Sequence, residues 1–191
     1  MEKLASNLTE YLIHKKVILQ ERRNIYQFGF QVGLEVILNT VISILIAVAC
    51  KMELECIIFF LVFIPLRAYA GGLHLDSYIK CMVCSCLSLL LILLIVKYIN
   101  IDGILMMGIV AFSIIIIKAI RPVEHINRPV SRKKYKEFAK KLNITLMTLT
   151  VISIVLFVLE INRILFTVAV TMLFMAIILF LGKIKRPYVL E

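Results

Sequence analysis

The sequence has no tryptophan, an odd number of cysteines and few acidic residues. Without tryptophan, tyrosine must supply the aromatic anchors at a membrane interface. Residues 1–24 mix both signs of charge and contain no apolar core of about 7–15 residues, so we expect no cleavable signal peptide. The five cysteines lie in or beside apolar segments. A secreted disulfide framework is therefore a poor interpretation, and each cysteine is by default a small buried apolar residue.

Apolar residues, by contrast, make up 62% of the 191 residues, and the mean hydropathy is +1.00. Because a soluble domain is about 45–50% apolar, this composition excludes a soluble globular domain and a disordered chain. Six spans of about 20 residues would use about 120 residues and leave about 70 for loops and ends. We therefore expect an all-α polytopic membrane protein that forms a single integral membrane domain over residues 1–191.

The apolar stretches predict an N-terminal amphipathic helix followed by six transmembrane helices. The amphipathic helix covers residues 1–24, and the spans cover 26–50, 54–66, 82–99, 103–120, 144–159 and 164–182. The amphipathic helix would lie on the membrane surface or pack on the bundle, and the sequence leaves both open. The second span is the weakest, because only residues 56–66 are free of charge and Pro65 lies near its end.

The 22 lysine and arginine residues outnumber the 12 acidic residues and give a net charge of +10. In the six-span arrangement, 19 of these 22 fall in segments on one side of the membrane and three on the other. Because lysine and arginine collect in cytoplasmic loops, this predicts a multi-pass cell-membrane protein with both termini in the cytoplasm. The loops at 67–80 and 121–143 are then also cytoplasmic, and the charge needs no nucleic-acid partner to account for it.

A polar stripe runs along the predicted first span, where Gln27, Gln31, Glu35 and Asn39 recur every four residues. A charged group at the centre of a membrane costs about 2.5–3.5 kcal/mol on insertion scales, so the stripe should face the bundle interior. Two interpretations stay open: hydrogen bonds that hold helices together, or the wall of a polar cavity beside a site. Glu35 is the candidate site residue of this stripe.

The segment between the second and third spans carries the residues most suited to chemistry. On a continuous helix His74 and Cys81 would lie about 10.5 Å apart along the axis, too far for a nucleophile–base contact of about 3 Å. A catalytic pair therefore needs a break in the helix, which Gly71 and Gly72 permit. Asp76 or Ser77 can cap the new helix. Its N-terminus would favour a thiolate at Cys81.

Other interpretations of this segment remain. His74 can be an interfacial histidine and Cys81 a packed small residue. A metal site would use His74 with Cys81, Cys84 and Cys86. Because Cys81 and Cys84 could share one helix face while Cys86 would point elsewhere, and no second ligand pair exists, we expect no metal and no cofactor.

The string Arg67-x3-Gly71-Gly72-x-His74-x6-Cys81, between two spans of a 191-residue membrane protein, resembles the accessory gene regulator protein B (AgrB) family. These proteins are membrane endopeptidases of peptide quorum sensing in Gram-positive bacteria. The resemblance covers the whole chain, with an amphipathic N-terminus, six spans, a basic loop before the last pair of spans and a short tail. It implies a Gram-positive source.

The resemblance implies a mechanism. Cys81 would be the nucleophile, and His74 the general base and acid. The substrate would be an AgrD-like propeptide, cleaved near its C-terminus to leave an acyl-thioester on Cys81. A cysteine or serine within the bound peptide would then displace the thioester and close a thiolactone or lactone ring. An internal nucleophile held close has a very high effective concentration, which favours cyclisation.

The remaining candidate residues would support the site. Arg67 would either bind a substrate carboxylate or help set the polarity of the site, or else extend to the membrane interface as a snorkelling side chain. The family's basic run corresponds to Arg132, Lys133 and Lys134. This run would bind an acidic propeptide tail or anionic membrane lipids, although topology alone explains it.

The competing hypotheses are a small membrane transporter and a peptide-exporting scaffold without proteolytic activity. The polar stripe and the basic loop would support a transporter, but no internal repeat or paired broken helix is visible. The sequence leaves the oligomeric state open, a homo-oligomer included.

Overall fold

The computed structural model describes residues 2–15, 17–71, 78–120 and 132–185, with side chains for 3–15, 17–71, 82–120 and 136–184. The helices are α1 (Glu2–His14), α2 (Arg23–Cys50), α3 (Glu53–Ala70), α4 (Tyr78–Tyr98), α5 (Gly103–Ile120), α6 (Arg132–Val158) and α7 (Asn162–Lys185). A short 3-10 turn, Gln20–Arg22, precedes α2. No strand occurs in the described ranges, so the expectation of an all-α fold is confirmed.

Among the residues that the structure describes, four helical segments are long and apolar enough to cross a membrane, namely Gln20–Cys50, Gly103–Ile120, Lys136–Val158 and Asn162–Ile184. The apolar part of α4, Met82–Tyr98, is shorter. Helix α3 has 18 residues, carries charge near both ends and contains Pro65. Proline lacks the N–H that bonds the carbonyl four residues earlier, yet α3 continues past it to Ala70. The structure is that of a multi-pass membrane protein.

Helix α7 lies at the centre of the bundle. It packs against α3, α4, α5 and α6, and every residue from 165 to 172 is buried. Two of these are threonines, whose hydroxyls donate to carbonyls four residues earlier: Thr167 to Arg163 O at 2.9 Å and Thr171 to Thr167 O at 2.7 Å. Because the polar atoms are satisfied within the helix, these small side chains allow close packing without an unmet hydrogen bond.

Helix α2 lies at the edge of the bundle, where it packs against α1, α3 and α4. Only Ser43 and Ala47 of its residues are buried. On its outer side, Gly29 and Gly33 are four residues apart, and a Cβ built at either would meet nothing within 4 Å. This is the small-residue spacing at which helices in membranes approach closely.

The N-terminal helix is shorter than the predicted 1–24, because α1 ends at His14 and a new helix begins at Arg23. The chain folds back, and an ion pair of 2.7 Å joins Arg23 to Glu10. Helix α1 packs on α2, and its fully buried residues are the small Ala5 and Thr9. The larger apolar side chains of the expected apolar side are exposed: Leu4, Leu8 and Tyr11.

The predicted cytoplasmic segment 121–143 is helical from Arg132 onwards, and this helix continues into the fifth apolar stretch. Helix α6 begins at Arg132 and runs unbroken to Val158. Leu142, Leu146 and Leu149 form one buried stripe whose spacing of four and three residues continues across position 143. Because this stripe packs as a unit, the basic residues 132–141 and the apolar stretch 144–158 belong to the same helix.

Candidate functional site

Helix α3 ends at a glycine whose backbone conformation other residues rarely adopt. Gly71 has φ 82° and ψ −153°, close to a region that is essentially confined to glycine. Its N–H donates to Arg67 O at 3.1 Å, which closes the last turn of α3. The following residues Gly72, His74 and Asp76 lie outside the described residues. Helix α3 is therefore not continuous with the helix that carries Cys81.

Cys81 is the fourth residue of α4, which the structure describes from Tyr78 onwards. The side chain of Cys81 lies outside the described residues, as do those of the basic run Arg132, Lys133 and Lys134 at the start of α6. Two cysteines further along α4 are described. Cys84 is exposed and Cys86 is half-buried. The Cys86 thiol lies 3.6 Å from Asn39 Oδ1 and donates to it.

A cavity of about 190 Å³ lies among α2, α3, α4 and α7. Its lining residues are Asn39 and Ser43 from α2, Phe59, Phe60, Phe63 and Arg67 from α3, Cys84, Ser85, Ser88 and Leu89 from α4, and Phe174, Ile177, Ile178 and Leu181 from α7. The cavity thus reaches α4 from Cys84 onwards, three residues after Cys81, and its wall includes Arg67 of the predicted site.

Phenylalanines form much of the cavity wall. The ring of Phe59 stacks on that of Phe63 with centroids 5.1 Å apart and meets Phe60 edge-on at 5.3 Å. Phe174 of α7 approaches Phe63 at 6.1 Å. The guanidinium carbon of Arg67 lies 5.7 Å from the centre of the Phe63 ring, a cation–π distance. Arg67 therefore lies against the aromatic surface, in the last turn of α3.

In the polar stripe of α2, Asn39 both contacts a neighbouring helix and lines the cavity. Its four residues are all half-buried. Gln31 Nε2 donates to Glu35 Oε1 at 3.1 Å along the helix. Asn39 bonds to α4 through Cys86 and also lines the cavity. Glu35 stands four residues before Asn39, about 6 Å nearer the start of α2, and is not among the cavity-lining residues.

The aromatic wall of the cavity is not predictable from the sequence alone. Phe59 and Phe63 are four residues apart, which is a detectable helical spacing, but this spacing is equally typical of any membrane span. Phe174 is more than 100 residues away and has no local signal that pairs it with them. The fold brings the three rings together because α3 and α7 pack side by side.

These observations define a multi-pass helical membrane protein with an aromatic-lined cavity next to the start of a helix that carries a cysteine. A family model described as Accessory gene regulator B matches residues 5–181. The chain therefore belongs to the accessory gene regulator B family, as the motif around Cys81 suggested. Membership in this family indicates a role in quorum-sensing peptide processing.

Two curated relatives from Clostridium perfringens bear names that describe them as AgrB-like. One, from strain SM101 / Type A, is 26% identical over 168 residues, which are 82% of this chain and 78% of the relative. The other, from strain 13 / Type A, is 26% identical over 148 residues, which are 72% of this chain and 69% of the relative. No solved structure matches the chain.

Proposed function

We propose that the protein is a membrane-embedded cysteine endopeptidase that cleaves an AgrD-like quorum-sensing propeptide near its C-terminus and promotes its cyclisation. The observation that carries this proposal is the helix end at Gly71, with Cys81 placed in a separate helix that is described from Tyr78. A single helix through both positions would keep His74 about 10.5 Å from Cys81 along the axis. Separate helices remove that constraint. The family match over residues 5–181 supports the same activity.

In the proposed first step, His74 accepts the proton of the Cys81 thiol, and the thiolate attacks the carbonyl carbon of the scissile peptide bond. A C–S bond forms and the C–N bond breaks. His74 returns the proton to the leaving nitrogen, so the C-terminal fragment departs as a free amine. The N-terminal part of the propeptide remains on Cys81 as a thioester. The position of Cys81 as fourth residue of α4 favours the thiolate modestly, since the effect of a helix N-terminus fades after the first turn.

In the second step, a cysteine thiol or serine hydroxyl within the bound peptide attacks the thioester. His74 accepts the proton of the attacking group, the bond to Cys81 breaks, the Cys81 thiolate is released and takes up that proton, and the peptide closes as a thiolactone or lactone. No water is consumed in this transfer. Because the reacting groups belong to one bound chain, their effective concentration is high, and exclusion of water from a membrane-edge site slows hydrolysis.

We place six spans around this site. Helices α3 and α4 add two spans to the four candidate segments. At about 1.5 Å per residue, the 21 residues of α4 cover the hydrocarbon core of about 30 Å, and the 18 residues of α3 cover a slightly thinned bilayer. Both termini and the segment between α3 and α4 then face the cytoplasm, which agrees with the distribution of basic residues. The exposed apolar side of α1 would rest on the cytoplasmic membrane surface.

The supporting residues keep the roles that the family resemblance implies. Arg67, stacked on Phe63, presents a positive charge for a substrate carboxylate. Gly71 and Gly72 set the backbone between the two helices. Arg132, Lys133 and Lys134 start α6 and would bind an acidic propeptide tail or anionic lipid. Glu35, singled out by the polar stripe of α2 and not by the resemblance, would lie on the polar side of α2 beside the site.

The test is to express the chain together with the small amphipathic propeptide expected from its own locus and to measure the masses of the peptide products. The parent and Cys84→Ala should shorten the peptide, whereas Cys81→Ala and His74→Ala should leave it intact. Cys84 is the matched control, because it lies three residues from Cys81 on the same helix and is exposed.

Shortened peptide in the presence of Cys81→Ala would contradict the proposal. The transporter alternative predicts a different pattern, with uncleaved peptide that still binds and with sensitivity to Glu35→Gln and Gln31→Ala. Membrane localisation should be checked for every variant by immunoblot of the membrane fraction, so that loss of activity is not confused with loss of protein.

A further inference from the structure

The cavity among α2, α3, α4 and α7 combines an apolar wall, a cation and an opening on the surface of the bundle. We propose that it binds a single-chain anionic amphiphile, a free fatty acid, with the carboxylate on Arg67 and the hydrocarbon chain along the phenylalanine wall. This binding does not depend on the proposed endopeptidase activity. Where that activity holds, a bound fatty acid occupies the residue proposed for a substrate carboxylate and therefore inhibits processing.

The opening of the cavity lies between α4 and α7, because exposed residues of both helices line it. These residues are Cys84 and Ser85 of α4 and Ile177 and Leu181 of α7. Helix α7 is long and apolar enough to cross a membrane, and its two residues at the opening are apolar. An occupant that enters here therefore comes from the membrane, where single-chain amphiphiles dissolve.

The size of the cavity fits one hydrocarbon chain. Its volume is about 190 Å³, and an engineered apolar cavity of about 150 Å³ in another protein binds benzene. Along α3 the wall extends from Phe59 to Arg67, eight residues that cover about 12 Å of the helix axis. A single chain of moderate length fits this space, whereas the paired chains of a phospholipid do not.

The hydrocarbon chain alone does not select a ligand, because the lipid around the protein is equally apolar. A chain in the cavity adds the dispersion contacts that an empty void lacks. The rings of Phe59 and Phe63, stacked at 5.1 Å, and of Phe174, at 6.1 Å from Phe63, provide the surface for these contacts. Selection among apolar molecules must therefore come from the head group.

The charges of the wall favour an anionic head group. Arg67 lines the cavity in the last turn of α3, and the lining residues include no acidic side chain in the part of the chain that the structure describes. Its guanidinium lies 5.7 Å from the centre of the Phe63 ring, so that the cation adjoins the aromatic surface. A guanidinium has five N–H donors and binds a carboxylate through two of them. The hydroxyls of Ser43 and Ser88 donate to carbonyls four residues earlier, at 2.8 and 2.7 Å.

The experiment measures binding of tritiated decanoate to the full-length protein in phosphatidylcholine vesicles, with protein-free vesicles as the blank for partition into lipid. For the parent we expect saturable binding. Decanol should compete at least about tenfold more weakly than unlabelled decanoate, because it lacks the carboxylate that pairs with Arg67. Arg67→Gln should raise the Kd for decanoate at least about tenfold for the same reason. Ser85→Leu puts a larger side chain at the opening and should weaken binding to a similar extent.

Two control variants test whether the effects belong to the cavity. Thr40→Leu enlarges an exposed residue of α2, and Lys118→Gln removes an exposed cation in the last turn of α5, and neither residue lines the cavity. Both should keep the parental Kd within about twofold. Gel filtration in detergent checks the folding of each variant. If Arg67→Gln does not fold, the decanol comparison and Ser85→Leu decide the outcome.

Three results would overturn the inference. Binding to the parent no higher than the blank would show that no fatty acid site exists. Equal competition by decanol would show an apolar void without selection for a carboxylate. Equal losses for Arg67→Gln and Lys118→Gln would identify adsorption to surface charge.

A second measurement follows propeptide cleavage by the parent in the same vesicles. Decanoate, but not decanol, should slow cleavage, with half-inhibition near the measured Kd when the propeptide is below its KM. Unchanged cleavage while decanoate saturates the cavity would overturn the inhibitory role. If the parent cleaves no propeptide even without decanoate, the endopeptidase proposal fails, and the binding measurement still decides this inference.

Discussion

The carboxylate of Glu55, in the first turn of α3, forms an ion pair with the guanidinium of Arg163 at the start of α7. The two side chains differ in their surroundings, since that of Glu55 is 6% exposed and that of Arg163 is 62% exposed. The pair ties together the starts of two helices that pack side by side. It lies near the start of α3, whereas Gly71 follows the other end of this helix. The pair therefore helps to hold α3, which carries Arg67 of the candidate site, against α7.

Removal of Arg163 should destabilise the protein more than removal of the charge on Glu55. Arg163→Ala leaves a buried carboxylate without its cation, and we expect the free energy of unfolding to fall by about 1–3 kcal/mol. Glu55→Gln leaves an exposed guanidinium that water can solvate, so its effect should be smaller. Thermal unfolding in detergent measures both.

The control for this prediction is Glu53→Gln, which removes an exposed carboxylate two residues earlier on the same helix. It should change the free energy of unfolding by less than about 0.5 kcal/mol. Equal losses for Arg163→Ala and Glu53→Gln would show that the ion pair does not stabilise the packing of α3 on α7.

The backbone at Gly71 should tolerate no side chain. With φ 82° and ψ −153°, Gly71→Ala should cost about 1–3 kcal/mol or force the chain after α3 onto another path. We expect propeptide processing to fall at least tenfold, because the segment with His74 follows this residue. Gly33→Ala is the control, since its Cβ would meet nothing within 4 Å, and full processing by Gly71→Ala would contradict the prediction.

The positions of the helices follow largely from the sequence. Runs of apolar residues predict spans at 54–66, 82–99 and 103–120, and the helices that overlap them are Glu53–Ala70, Tyr78–Tyr98 and Gly103–Ile120. The conformational freedom expected at Gly71 is realised in its positive φ. Both are local properties, set by hydropathy within one segment or by the absence of a Cβ.

Tertiary relationships were not predictable in the same way. Glu55 and Arg163 are 108 positions apart, and nothing in either local pattern shows that they meet. The wall formed by Phe63 and Phe174 depends on how α3 and α7 pack. The change in charge near position 143 predicts a boundary there, whereas the buried leucine stripe of α6 continues across it.

Cys81 should be the most reactive of the cysteines on α4. If an imidazolium at His74 stabilises the thiolate, iodoacetamide near neutral pH should alkylate Cys81 at least about tenfold faster than Cys84. The exposure of Cys84 makes it a fair comparison for access. Mass spectrometry of peptides from timed reactions gives the rates, and His74→Ala should slow only Cys81. Equal rates at the two cysteines would argue against an activated thiol.

Gly103, at the start of α5, packs closely against Phe157, near the end of α6. A Cβ added there would lie 3.0 Å from Cε2 and 3.2 Å from Cδ2 of Phe157. Gly103→Ala should therefore lower the free energy of unfolding by about 1 kcal/mol through overpacking, and Phe157→Leu in the same chain should recover part of the loss. Gly108→Ala, where nothing lies within 4 Å, should not destabilise the same helix. Thermal unfolding in detergent distinguishes these outcomes.

The most direct test of the proposed chemistry is the intact mass of the protein after brief exposure to its propeptide. We predict an added mass equal to that of the hydrolysed N-terminal fragment of the propeptide minus one water, because the fragment is held on the thiol as an acyl group. Fragmentation should locate it to Cys81, and hydroxylamine should remove it, as expected for a thioester. Cleaved propeptide without such an adduct in a rapid time series, or an adduct on Cys84 instead, would contradict the proposed mechanism.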